Sequence, residues 1–216
     1  DVSISPEFVR PEMGVWPWEA PDVPTYASVR WEEGRPVSID GIEMDLEDIF
    51  LHCNELAGRN GIGIGTHVVE NRFVGIKSRG IYESPAMEFL GKSYEFLLQF
   101  ILDRRSREFF EGISRIISRQ IYQGYWFDLT THAALGALSR FSELATGTVQ
   151  IKLYRGGIFF ETADDTRESM PYSIYTNDGS MESMGNYDHV DAEGFLNILG
   201  VSARNIGIRQ SKHLTD

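Results

Sequence analysis

The chain has 216 residues, of which 42% are hydrophobic and 24% are charged, and its formal net charge is −12 at pH 7. A chain this acidic repels nucleic acid and anionic lipid unless a local basic patch overrides the total. The cluster Arg104, Arg105 and Arg107 is interleaved with acidic residues, and we interpret it as a solvated helix face. No apolar run approaches the roughly 18 residues of a membrane span. Neither nucleic acid nor a membrane is therefore an expected partner.

The first 25 residues carry five prolines and predict an extended arm or linker. Trp16 and Trp18 lie in this arm. Because large indole rings are poorly placed in water, we expect both to dock, either on the body of this chain or on another chain. The sequence begins with Asp1 rather than methionine, so we expect a fragment, a processed chain or a trimmed one.

Two strands and a helix are predicted next. Residues 26–39 indicate two short strands around a Glu-Glu-Gly-Arg-Pro turn. Apolar residues then recur at helical spacing over residues 44–56, with Asp45 as the N-cap and Gly58 as the C′ residue that stops the helix. Cys53, the one cysteine, falls in this pattern and is expected in the core. A single thiol forms no intrachain disulfide, and a reducing, cytoplasmic setting fits.

A glycine-rich loop, GRNGIGIG, occupies residues 58–65. It resembles a dinucleotide-binding loop only superficially, because no convincing strand precedes it and no helix follows it. We expect its glycines to permit tight backbone turns beside a ligand or a neighbouring chain. Residues 67–76 then predict two short strands around Asn71-Arg72.

Helices and a second hairpin are predicted in the next part of the chain. A long helical region runs from about residue 85 to 123, with Pro85 in its first turn and a break near residues 103–106. A further helix is predicted over about residues 131–144. Residues 147–162 alternate apolar and polar side chains around Gly156-Gly157, which predicts a hairpin with that glycine pair as its turn.

The last part of the chain predicts a loop-rich stretch followed by a helix. Residues 163–190 are loop-rich, with one short strand at residues 173–175. Residues 191–212 predict a helix with Asp191 as the N-cap. Three glycines interrupt it: Gly194, Gly200 and Gly207. Because so many glycines weaken a helix that stands alone, we expect an arm stabilised by packing on a partner surface.

The order of strands, helices, strands and a final helix lacks regular βαβ alternation. It predicts an α+β fold with a mostly antiparallel sheet packed against several helices. The predicted organisation is a proline-rich arm or linker over residues 1–25, an α+β domain over residues 26–190, and a C-terminal oligomerisation arm over residues 191–216.

Most motifs of catalytic chemistry are missing from the sequence. One cysteine and five histidines supply neither a Cys-x₂-Cys pair nor a His-Glu-x-x-His helix, so no metal site is predicted. There is no Gly-x-Ser-x-Gly nucleophile elbow. The tripeptide Gly91-Lys92-Ser93 lacks the upstream glycine of a phosphate-binding P-loop.

One stretch, VVENRFVGIKSRGIYESP over residues 68–85, carries a candidate site. If its strands pair, Glu70 and Tyr82 lie at opposite ends of one rigid unit, and the intervening turn could bring them together. A carboxylate and a tyrosine hydroxyl suit the α-ammonium and carboxylate of an amino acid. The alternative is that Glu70 pairs with Arg72 or Arg79 on the surface while Tyr82 simply packs.

The sequence ENRFVGIKSRGIYESP, preceded by GRNGIGIG, resembles the C-terminal synthetase domain of argininosuccinate synthase. The family has a similar glycine-rich loop followed by Val-Glu-(Asn/Asp)-Arg and Lys-Ser-Arg-x-x-Tyr-Glu-x-Pro, with the same spacing of 12 positions from glutamate to tyrosine. The segments EEGRPVSIDG, IYQGYWFDLTTHAAL, GTVQIKLYRGG and YDHVDAEGFLNI also resemble family segments. The resemblance therefore covers roughly residues 15–212. The pyrophosphatase loop of the family's ATP-binding half, Ser-Gly-Gly-x-Asp-(Ser/Thr)-Ser, does not occur here.

The resemblance implies an enzyme of arginine biosynthesis and the urea cycle that condenses citrulline with aspartate and cleaves ATP to AMP and pyrophosphate. It implies that Glu70 and Tyr82 bind citrulline, with support from Lys77, Ser78 and Arg79. It places ATP with Mg, and aspartate, mainly on an N-terminal domain, so we expect no cofactor on this chain alone and no activity from it. It further implies a cytoplasmic homotetramer.

Two other functions remain open at this point. The first is a non-enzymatic module for assembly or amino-acid binding. The second is part of a related ATP-pyrophosphatase ligase that acts on another urea-like substrate. A Ser-Gly-Gly-x-Asp sequence immediately upstream in the same reading frame would favour the synthase.

Overall fold

A computed structural model of the chain describes residues 10–70, 74–164 and 189–213. The chain divides into two compact units, Asp1–Ile174 and Tyr175–Asp216. The elements in chain order are β1 (Thr25–Glu32), β2 (Arg35–Ile39), β3 (Ile42–Glu43), α1 (Leu46–Gly58), β4 (Ile64–Glu70), β5 (Lys77–Glu83), α2 (Pro85–Ile101), α3 (Arg104–Tyr122), α4 (Leu129–Ser142), β6 (Gly147–Tyr154), β7 (Gly157–Asp164) and α5 (His189–His213).

The first unit is built on a five-stranded antiparallel sheet in the order β3-β2-β1-β6-β7. β1 and β2 are the two strands predicted over residues 26–39, and Glu33 and Gly34 turn the chain between them with positive φ. β1 also pairs with β6, where Val29 lies opposite Val149. The predicted α+β fold with a mostly antiparallel sheet is confirmed.

The core lies between one face of this sheet and the helices α1 and α2. Side chains alternate between buried and exposed along β1 and β6, because successive strand residues point to opposite faces. The inward-facing strand residues are Ala27, Val29, Trp31, Val149, Ile151 and Leu153. From α2, Phe89, Leu97 and Ile101 are fully buried against the same cluster. Each large apolar side chain buried in this way contributes about 1.5–3 kcal/mol.

Helix α1 begins as predicted and ends two residues later than predicted. The Asp45 carboxylate accepts a hydrogen bond of 3.0 Å from the Asp48 N–H, so the predicted N-cap is confirmed. Cys53 is fully buried, as predicted, and this burial, together with the charge of Asp40, raises the pKa of its thiol to about 12. The prediction that Gly58 is the C′ residue is wrong, because Gly58 is the last helical residue and Arg59 is the C-cap.

The long helical region is broken, as predicted, but slightly earlier. Leu102 and Asp103 separate α2 from α3, and Asp103 is the N-cap of α3, accepting a 2.7 Å hydrogen bond from the Ser106 N–H. Hydrogen bonds from the Ser106 hydroxyl and N–H lower the pKa of the Asp103 carboxyl. α4 begins two residues before the predicted helix because Asp128 caps it there.

The hairpin of β6 and β7 is confirmed, but its predicted turn is wrong by one residue. Arg155 and Gly156 are the two turn residues, with φ of 46° and 81°. Gly157 is already paired with Tyr154 in the ladder. A two-residue turn of type I′ needs positive φ at both positions, and an arginine occupies the first of them here.

In the second unit the described element is α5, which confirms the predicted C-terminal helix. It begins at His189, so Asp191 lies in its first turn and is not its N-cap. Large apolar side chains are exposed along it: Val190, Phe195, Leu196, Ile198, Leu199, Val201, Ile206 and Ile208. The strand predicted at residues 173–175 lies outside the described residues. Among the helices described, none is long and apolar enough to span a bilayer.

Candidate functional site

The predicted site residues lie on a hairpin, β4 and β5, that forms a second sheet of its own. The first predicted strand is part of β4, but the second is wrong, because β5 begins only at Lys77. Gly75, with φ of 69°, lies in the connection between the strands. Glu70 is paired with Lys77 at the far end of the hairpin, and Ile64 with Glu83 at its base.

Glu70 ends β4, and its carboxylate is accessible to solvent. The Lys77 Nζ lies 3.8 Å from the Glu70 Oε2 across the hairpin, and more than half of each side chain is exposed. An exposed pair of this kind contributes at most about 1 kcal/mol. Among the described residues the ion pair seen at Glu70 is with Lys77. Arg72, one of the two arginines predicted to pair with Glu70, lies outside the described residues, so that alternative stays a prediction. The carboxylate remains available to a ligand ammonium at little cost.

Tyr82 lies near the base of the hairpin, opposite Gly65, and is 48% exposed. Its ring meets the edge of His67, with the centroids 5.4 Å apart and an interplanar angle of 77°. A Cβ on Gly80 would lie 3.3 Å from the same ring, so a larger residue there would push against it. His67 and Gly80 thus shape the surroundings of Tyr82, and neither was predicted from the sequence.

The hairpin does not bring Glu70 and Tyr82 together. Tyr82 pairs with Gly65, five positions from Glu70 along β4, which is about 17 Å at the rise of a strand. The two also differ in the face they occupy, because side chains alternate along each strand. One face carries Glu70, Lys77 and Arg79, and the other carries Ser78 and Tyr82. In this register the two residues cannot both contact one amino acid.

The far half of the hairpin presents apolar side chains to solvent. The exposed residues are Val68, Val69, Val74 and Ile76. An exposed apolar surface of this kind, beside charged groups, is typical of a site that contacts a ligand or another protein surface. These residues therefore give the far half of the hairpin an exposed apolar surface next to the charged side chains of Glu70 and Lys77.

At its base the hairpin is fixed between α1 and α2 by the glycine-rich loop. Gly63 has φ of 69°, and a Cβ there would lie 2.7 Å from the Ser84 oxygen. The Ser84 N–H donates a 2.8 Å hydrogen bond to the Gly63 oxygen. The Ala86 N–H at the start of α2 donates to the Asn54 Oδ1 on α1 at 3.0 Å. These contacts tie both strands to the body of the unit.

The other neighbour of the glycine-rich loop is the N-terminal arm. A Cβ on Gly58 would lie 2.1 Å from the Met13 oxygen, and one on Gly61 would lie 2.6 Å from the Pro17 Cα. The Val15 N–H donates to the Gly58 oxygen at 3.1 Å. These two glycines therefore permit close approach of the chain's own arm. The expectation of a ligand or a neighbouring chain beside the glycine-rich loop stays a prediction.

The two tryptophans of the arm have different environments. Trp16 is 7% exposed and docks on the body, whereas Trp18 is 68% exposed. Their rings stack with centroids 5.1 Å apart. The expectation of docking is thus confirmed for Trp16, whereas the docking of Trp18 on another chain stays a prediction.

No group of three His, Cys, Asp or Glu side chains is placed to hold a metal ion within residues 10–70, 74–164 and 189–213. Sequence reasoning also missed the carboxylate of Glu83, which accepts hydrogen bonds from the backbone N–H groups of Glu12 and Met13. No local pattern marks it, because its partners lie about seventy positions away in the sequence.

The amino-acid sequence of the chain is similar to those of a known protein family. The family profile described as "Arginosuccinate synthase C-terminal domain" matches residues 11–206. The argininosuccinate synthase of Moorella thermoacetica is 36% identical over 197 residues, which cover 91% of this chain and 47% of that protein. The synthase of Lachnospira eligens is 35% identical, over 89% of this chain and 46% of its own length.

A third relative, the argininosuccinate synthase of Parvibaculum lavamentivorans, is 35% identical over 96% of this chain and 50% of its own length. The chain thus spans about half the length of the curated relatives it matches. With a family profile that covers nearly all of its residues, the chain belongs to the argininosuccinate synthase family and corresponds to its C-terminal part.

Proposed function

We propose that this chain is the C-terminal part of an argininosuccinate synthase of arginine biosynthesis. In the proposed reaction the ureido oxygen of citrulline attacks ATP, giving citrullyl-AMP and pyrophosphate. The aspartate amine then displaces AMP to give argininosuccinate. Family membership over residues 11–206 is the observation that supports this proposal.

The hairpin of β4 and β5 is the proposed wall of the citrulline site. The Glu70 carboxylate accepts hydrogen bonds from the α-ammonium of citrulline, and the Tyr82 hydroxyl serves as a second contact. Lys77, Ser78 and Arg79 support the wall. Such contacts act by orienting the ureido group for its attack, which lowers the entropic part of the barrier.

A rearrangement of the hairpin is part of the proposal. Glu70 and Tyr82 lie at opposite ends and on opposite faces of the hairpin. Both therefore reach one citrulline only if the hairpin bends. We propose that it bends toward the ATP-binding part of the enzyme, which holds ATP with Mg, and aspartate. This chain alone is then inactive, because its sequence lacks the family's pyrophosphatase loop. A cytoplasmic location accompanies the proposal.

Citrulline titration by calorimetry tests the site. We expect the unaltered chain to bind with a Kd of about 1 mM or weaker, because many contacts belong to the ATP-binding part. Glu70→Ala should weaken binding by about tenfold or more, since it removes a charged hydrogen bond. Tyr82→Phe tests the other end of the hairpin. If only one of the two substitutions weakens citrulline binding, the ligand lies at the end of the hairpin that carries the substituted residue.

The matched control is Glu55→Ala, which removes an exposed carboxylate from α1 and should leave citrulline binding unchanged. Equal affinities of Glu70→Ala and the unaltered chain would contradict the assignment of Glu70. If neither protein binds citrulline, the titration is repeated with the ATP-binding part supplied. A second absence of binding would contradict the proposed site as a whole.

The proposal also includes assembly into a homotetramer through α5. The exposed apolar side chains along this helix support the proposal, because a single helix with such a surface gains stability by covering it. Light scattering at micromolar concentration should give about four times the monomer mass, and Leu196→Asp should lower it, since a buried unpaired carboxylate is costly in an interface. A clean monomer before substitution would contradict this part of the proposal.

A further inference from the structure

The side chain of Glu83 joins the base of the hairpin to the N-terminal arm. Glu83 is the last residue of β5 and follows Tyr82 directly. Its carboxylate accepts two contacts from the Glu12 N–H, at 2.9 and 3.0 Å, and one from the Met13 N–H, at 2.6 Å. Hydrogen bonds from backbone N–H groups to an ionised carboxylate are roughly twice as strong as neutral ones.

The segment that Glu83 holds is itself fixed to the body. Gly14 lies so close to α1 that a Cβ on it would be 2.3 Å from the Gly58 oxygen. The Val15 N–H hydrogen bond to Gly58 and the burial of Trp16 follow immediately in the chain. The carboxylate is therefore attached to a docked segment, and the arm gives the hairpin a fixed point outside its own two strands.

Beyond this attachment the hairpin has little support. β4 is exposed from Thr66 to Glu70, and β5 from Lys77 to Arg79. A two-stranded hairpin is at best marginally stable by itself, so its direction depends on how its base is held. At that base the Gly63–Ser84 hydrogen bond joins the two chain segments of the hairpin, the Ala86–Asn54 hydrogen bond joins the start of α2 to α1, and the Glu83 carboxylate joins the hairpin to the arm.

We propose that Glu83 is a positioning residue that couples the N-terminal arm to the hairpin and thereby orients Tyr82, its neighbour in β5. The identity of the ligand at Tyr82, citrulline, rests on the proposed function. The coupling itself rests on the hydrogen bonds of Glu83 and on the docking of the arm. Undocking the arm therefore loosens the hairpin, although the two segments are far apart in sequence.

Amide hydrogen exchange on the intact chain tests the coupling. Glu83→Ala should accelerate exchange of the β4 and β5 amides by about tenfold, equivalent to one charged hydrogen bond. Gly14→Ala should accelerate exchange of the same amides, because the added Cβ displaces the arm. Because both act through one attachment, the double variant should exchange no faster than the faster single variant. Glu83→Gln keeps one acceptor oxygen and should lie between the unaltered chain and Glu83→Ala.

Glu55→Ala serves again as the control and should leave hairpin exchange unchanged. Amides of α2 report on global stability and should be unaffected by Glu83→Ala, because the attachment lies outside the core. Unchanged hairpin exchange in Glu83→Ala would overturn the proposal. Additive effects in the double variant would overturn it as well, since they would mean that the arm and Glu83 act separately.

A citrulline titration of the same variants separates this inference from the proposed function. Glu83→Ala should weaken citrulline binding by about tenfold, and Glu83→Gln should restore part of it. If the hairpin loosens and citrulline still binds as before, the positioning role is overturned while the citrulline site stands. If no variant binds citrulline even with the ATP-binding part supplied, the proposed function fails, and the exchange result decides the coupling by itself.

Discussion

Phe89→Ala is expected to lower the free energy of unfolding of the chain by about 3–5 kcal/mol. Phe89 is among the largest fully buried side chains and lies on the face of α2 that packs against the core. Truncating it removes apolar contacts and leaves a cavity that the rigid sheet closes only in part. Urea denaturation of both proteins, followed by far-UV circular dichroism, measures the difference.

The matched control is Phe127→Ala in the connection between α3 and α4. Phe127 is 86% exposed, so its truncation should change the free energy of unfolding by no more than about 0.5 kcal/mol. A loss below about 1 kcal/mol for Phe89→Ala would contradict the placement of the core between the sheet and α2.

Gly58→Ala is expected to cost about 2–3 kcal/mol, although alanine favours a helix by about 1 kcal/mol over glycine. The new Cβ would lie 2.1 Å from the Met13 carbonyl oxygen, and a backbone atom has no other rotamer to adopt. The arm must move, which exposes the buried indole of Trp16 and loses its apolar contacts. Denaturation gives the energy, and a red shift of tryptophan fluorescence reports the exposure.

The control is the glycine-to-alanine substitution at Gly91, for which we expect the free energy of unfolding to rise. Gly91 lies within α2, and a Cβ there would meet nothing within 4 Å. Gly91→Ala should therefore stabilise the chain by about 0.5–1 kcal/mol through helix propensity alone. If Gly58→Ala also proved stabilising, the close contact of the arm with α1 would be refuted.

Elements with a local signal could be predicted from the sequence. The apolar period of α1 and the carboxylate of Asp45 lie within one stretch of chain, and both are found in the structure. Glycines were harder to assign because one residue type serves two purposes. Gly58 looks like a helix stop but permits a backbone contact, and Gly157 looks like a turn residue but begins a strand.

The sequence could identify candidate site residues but not their positions relative to one another. The motif identified Glu70 and Tyr82, whereas their separation depends on where β5 begins, and alternation alone did not place its start at Lys77. The contact of His67 with Tyr82 follows only once that register is known. The attachment of Glu83 to the arm is a tertiary contact between distant segments, which no window of sequence contains.

The pairing of β1 with β6 also determines when the sheet can form during synthesis. Val29 finds its partner in Val149, so the middle of the sheet cannot form until about 120 further residues have been made. At the usual speed of a ribosome this takes roughly 6–24 s, during which the hairpin of β1 and β2 has one unpaired edge. Long-range closure of this kind slows folding and leaves that edge open to other chains. The yield of folded protein should then depend on how well the edge of β1 is shielded while the ribosome completes β6.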